Sequence, residues 1–125
     1  MDKQKWTRGQ KMRIKIHTKS GRWLLAKAIT TSSPELFLTP ECIRDLRADG
    51  KPSTRGRFSK DSWTITHRRS GYSIVFGDYT LEEASRLAEL FAACSIPWEK
   101  LRSKRAAKSY SRQHRKVMEK FYRGE

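Results

Sequence analysis

The spacing of apolar residues changes once along this chain, from every second residue to every third or fourth. That switch constrains the fold more than any other feature. In MRIKIHT, Met12, Ile14 and Ile16 alternate with Arg13, Lys15 and His17, the period of a half-buried strand. Lys19-Ser20-Gly21 reads as a turn, and RWLLAKAI at 22–29 as the returning strand of a hairpin. ELFL at 35–38 is a further short strand. Trp63, Ile65 and His67 then alternate with Ser62, Thr64 and Thr66, and YSIVF at 72–76 follows a turn where Gly71 supplies a positive φ. From Thr80 the period lengthens. Leu81, Ala84, Leu87, Ala88 and Phe91 recur at helical spacing behind a capping box of Thr80 and Glu83. Two hairpins and one amphipathic helix predict an α+β fold, a small mainly antiparallel sheet packed by that helix.

Between these elements the breakers set boundaries. Thr39-Pro40-Glu41 reads as a helix start, with Thr at the N-cap, Pro at the first helical position and an acid in the first turn. This predicts a brief helix over CIRDLRA (42–48) that stops near Gly50. KPSTRGRFSKD (51–61) reads as a loop carrying Lys51, Arg55, Arg57 and Lys60. Pro97 ends the helix that began at Thr80, with Trp98 laid over the edge of the core.

Charge is segregated. Of 28 basic and 13 acidic residues, nine and one fall in residues 1–30, nine and nine in 31–98, and ten and three in 99–125. The net +15 therefore sits at the two ends. Solubility needs no such separation, whereas a polyanion partner rewards it. The chain accordingly divides into a flexible basic arm (1–11), an α+β core (12–98) and a basic C-terminal helix (99–125).

That last stretch is sorted, not random. At about 100° per residue, Ala107, Tyr110, His114, Val117, Met118 and Phe121 share one helix face. Arg105, Lys108, Arg112, Arg115 and Lys116 share the opposite one, while Leu101 falls on the wrong side. Cations in such a stripe neutralise phosphates and release their counterions. Two further basic surfaces follow from the strands. The exposed face of the first hairpin would present Arg13, Lys15 and His17, with Arg22 and Lys27 from its neighbour. The tip of the second carries Arg68 and Arg69.

Signs of catalysis are few. His17, His67 and His114 form no metal-binding pair, and no GxSxG, Walker or GxGxxG motif occurs. Cys42 and Cys94 have no CxxC spacing and read as reduced, partly buried thiols. No metal or cofactor is implied. No apolar run approaches the roughly 20 residues of a membrane span, and no apolar segment follows the charged N-terminus. The chain reads as an intracellular protein, cytoplasmic or associated with a nucleoid or nucleus, with no membrane partner. The expected function is non-catalytic binding of DNA or RNA through phosphate contacts, by the C-terminal helix and the basic sheet face. The alternative is a small accessory or regulatory protein that grips an acidic protein surface or a nucleoprotein machine. The apolar face of the C-terminal helix would serve there for a partner or a homodimer. A small basic nuclease using His67 with Arg68 or Arg69 ranks below both.

Overall fold

Alternation produces the expected strands, and a proline decides how far they stay together. The computed structural model describes residues 7–17, 23–43, 47–51 and 57–124. Strands β1 (Lys11–His17), β2 (Trp23–Thr30), β3 (Leu36–Ile43) and β4 (Arg57–His67) form one antiparallel sheet in that order. Helix α1 (Leu81–Ala93), a 3-10 turn (Trp98–Lys100), α2 (Lys104–Lys108) and α3 (Ser111–Tyr122) follow. The fold is α+β.

The brief helix expected after Thr39 is overturned, because Thr39, Pro40 and Glu41 are strand residues of β3. Pro40 pairs with Trp63 of β4, yet the Trp63 N–H points the other way and donates to the Tyr79 carbonyl at 2.8 Å. The Pro40 nitrogen therefore faces β2, where a donor would be needed to continue the ladder. Pairing between β2 and β3 is confined to Ile29 with Leu38 and Thr30 with Phe37. Beyond it the β1–β2 and β3–β4 pairs part. The loop expected over 51–61 is also shorter, since β4 begins at Arg57. The Lys19–Gly21 turn, Arg22, Arg55 and residues 44–46 lie outside the described residues.

The return arm at 72–76 is not a regular strand. Its backbone pairs with β4 at an isolated bridge, Thr66 with Ser73, and a second bridge joins Trp63 to Tyr79. The Ser73 hydroxyl donates to the Val75 carbonyl at 2.7 Å, a local bond that competes with the ladder. Gly71 does take the positive φ the turn requires, +73°, and a Cβ there would lie 2.4 Å from the Trp23 ring. Its carbonyl accepts from the His17 N–H at 2.7 Å. The end of β1 is thereby joined to the turn beyond β4, and the sheet curls to bring them together.

Each face of this curled sheet has its own core. The inner face buries Ile14, Ile16, Ala26, Ala28 and Phe37. The outer face buries Leu36, Leu38 and Ile65 beneath α1, whose Ala84, Leu87, Ala88 and Phe91 point inward. The predicted capping box is present: the Glu83 N–H donates to Thr80 Oγ1 and the Thr80 N–H to Glu83 Oε1. Trp98 is buried, its Nε1–H donating to the Phe91 carbonyl at 3.0 Å. Cys42 and Cys94 are unbridged and half-buried, and burial raises the Cys94 pKa. Within the arm expected over 1–11, residues 1–6 lie outside the described residues. Arg8 pairs with Glu89 of α1 at 2.8 Å, and the Gly9 N–H donates to the Thr30 carbonyl at 2.9 Å.

Candidate nucleic-acid interface

The C-terminal stretch forms two helices, not one. The Ser109 hydroxyl donates to the Ala106 carbonyl at 2.7 Å, and the Tyr110 N–H reaches back three residues to Ala107 at 3.0 Å. This tightened turn ends α2 and lets α3 start afresh after Tyr110. Val117 and Phe121 of α3 are buried in the main core, with Ala107, Tyr110 and Met118 packed partly against it. His114 Nε2 donates to the Ile74 carbonyl at 2.5 Å, and the Arg86 guanidinium lies 4.6 Å over the Phe121 ring. Leu101 is buried as well. It precedes α2, so the helical wheel that placed it on the wrong side does not apply to it.

Arg105, Lys108, Arg112, Arg115 and Lys116 are all exposed, two on α2 and three on α3. None of the five makes an ion pair among the described residues. The break at Ser109 divides the predicted stripe into two pieces.

The first hairpin supplies a second basic surface. Arg13 pairs with Lys27, Lys15 with Leu25 and His17 with Trp23, so these residues share the outer face. Arg13, Lys15 and Lys27 are exposed on it, beyond the part that α1 covers. His17 is not available there as expected. Its ring is half-buried against Trp23 and Tyr72, with centroids 5.0 and 4.6 Å away, and its Nδ1 is buried without a hydrogen bond. Leu25 and Trp23 are 57% and 52% exposed, which sequence reasoning missed. The signal was parity: Trp23, Leu25 and Lys27 alternate with Leu24, Ala26 and Ala28. Arg22 and Lys27 have opposite parity and cannot share one face of a regular strand.

The tip of the second hairpin contributes less. Arg68 is exposed, whereas Arg69 Nε donates to Glu35 Oε2 at 3.1 Å. His67 beside them is 2% exposed. Its Nε2–H donates to the Trp98 carbonyl at 2.7 Å, which leaves Nδ1 to accept from the Ser70 hydroxyl at 2.9 Å. Both ring nitrogens of the histidine named in the nuclease reading are therefore engaged within the fold.

Burial lowers the His67 pKa below its ordinary 6.5, against raising effects from the Trp98 carbonyl and Glu35, with Arg69 also lowering it. The unfolded chain therefore binds the proton more readily than the folded one. The contribution of neutral His67 is complete above 6.5 and is lost as pH falls from there through the lowered folded value. Urea unfolding of the protein and of His67→Gln on both sides of that pH checks this. The stability difference between the two should shrink as the solution is acidified.

Among the described residues, no group of three potential metal ligands is assembled, and no helix is long and apolar enough to cross a membrane. No known protein family, curated protein or solved structure matches the chain.

Proposed function

We propose that the protein binds nucleic acid without catalysing a reaction, chiefly through phosphate contacts from α2, α3 and the outer face of the first hairpin. The observation that carries this reading is the orientation of α3. Val117 and Phe121 are spent on the protein's own core, while Arg112, Arg115 and Lys116 face outward. A dimer seam or a membrane-surface helix would need that apolar face free. Exposed cations in two helices and on a neighbouring sheet instead suit a polyanion with regularly spaced charges. Such a partner implies an intracellular location, in the cytoplasm or on a nucleoid or nucleus.

The test is a titration against single-stranded DNA, duplex DNA and structured RNA at several salt concentrations. Binding that falls steeply with salt is expected. Absence of binding to all three at low salt would sink the reading.

A second reading, an accessory protein on an acidic protein surface, draws on Phe76 and Tyr122, which are 71% and 69% exposed. They adjoin, because the Tyr79 hydroxyl bonds both the Tyr122 hydroxyl and the Phe76 carbonyl. It becomes the stronger reading if nucleic acid fails to bind.

A further inference from the structure

Where Pro40 ends the pairing of β2 with β3, the β1–β2 and β3–β4 pairs flank a cleft of about 600 Å³. Arg13, Lys27 and Lys60 line it together with Leu25, Phe58 and Trp63. Among the described residues, no acidic side chain lines it. A neighbouring hollow lined by Lys15, Trp23, Leu24 and Leu25 continues along the same hairpin, sharing Leu25 with the cleft. The surface therefore repeats one chemical unit, an aromatic ring with cations beside it. Arg13 and Lys15, one in each unit, stand two strand residues apart, about 7 Å.

From this arrangement we infer that the cleft takes an unpaired base of single-stranded nucleic acid, with Trp63 or Phe58 stacking on the base and Arg13, Lys27 and Lys60 holding the flanking phosphates. The inference rests on the nucleic-acid reading and deepens it. A surface that met only phosphates would gain nothing from two aromatic rings in a recess, and a duplex keeps its bases stacked away from such a recess. A single strand offers both a π-face and a charge at each nucleotide. The cations beside the rings match it, and the second unit at Trp23 and Lys15 gives the next nucleotide a place. An acidic peptide would match the charge but not the rings.

The experiment compares oligothymidylate, oligouridylate and an abasic deoxyribose-phosphate strand of equal length and charge, by fluorescence anisotropy with the full chain. The two base-bearing strands are expected to bind about ten-fold or more tightly than the abasic one, the scale of one aromatic stack. Their order shows whether DNA or RNA is preferred. Of Trp63→Leu and Phe58→Leu, made separately, at least one should weaken oligothymidylate binding several-fold and leave abasic binding unchanged. Trp63 also packs partly against the main core, so a second measurement uses the unaltered protein. Irradiation of an oligonucleotide carrying 5-iodouracil should attach it to peptides containing Phe58, Trp63 or Trp23.

Equal affinity for base-bearing and abasic strands overturns the inference while leaving the phosphate reading standing. So do crosslinks confined to residues 104–123. Failure of every strand to bind at low salt removes both. Quenching of tryptophan fluorescence by polyglutamate that is lost in Trp63→Leu, with no response to the oligonucleotides, would give the cleft to an acidic peptide.

Discussion

Exchanging Arg105, Lys108, Arg112, Arg115 and Lys116 together for glutamine is expected to weaken nucleic-acid binding by about 10²-fold or more at low salt. On the proposed reading, each cation displaces counterions from one phosphate. The slope of log affinity against log salt should then flatten by about 4 to 5 for duplex DNA and about 3 to 4 for a single strand. The loss should be alike for all sequences, because phosphate contacts carry no sequence information. The fold should survive. All five side chains are exposed, and glutamine is nearly as good a helix former as lysine or arginine. Anisotropy titrations across salt, with thermal melting monitored by circular dichroism, check both halves. An unchanged slope in a folded variant would move the interface off these helices.

Phe91→Ala should be the most damaging single substitution, costing about 3–5 kcal/mol of stability. Phe91 is fully buried where three elements meet. Its ring lies edge-on to Trp98, with centroids 5.9 Å apart, and 4.8 Å from the ring of His114 in α3. Its carbonyl also takes the Trp98 indole N–H. Removing the ring leaves a cavity under α1 and loosens the turn that leads the chain into α2 and α3. Against a typical total of about 5–15 kcal/mol, such a loss consumes much of the margin. Urea unfolding should show a lower midpoint, and nucleic-acid binding should weaken with the docking of α3. A change below about 1 kcal/mol would mean that the three elements do not depend on this ring.

Local pattern made several of these features legible beforehand. The alternation over 12–16 identified β1, Thr80 and Glu83 marked the start of α1, and the sorted C-terminal residues anticipated which face of α3 is buried. Each is a short-range relation, set by strand period, cap chemistry or helical angle. Thr39-Pro40-Glu41 failed as a helix signal because the same residues are allowed in a strand wherever the missing N–H has no partner to serve. Whether a neighbour would have needed that N–H depends on β2 and β4, which no local window contains. Ser109 was likewise compatible with a continuing helix until its hydroxyl took the Ala106 carbonyl.

The sequence by itself determined the α+β class, the segregated charge and the amphipathic character of α1 and α3, since these follow from composition and period. Only the tertiary structure decided that Lys60 and Trp63 of β4 stand opposite Arg13, Leu25 and Lys27 around one cleft. It also decided that Arg69 is spent on Glu35 and that the His67 Nε2–H is taken by the Trp98 carbonyl. The physical reason is separation along the chain. Residues more than thirty positions apart come together only through sheet pairing and the packing of elements on the sheet, and periodicity carries no information about either.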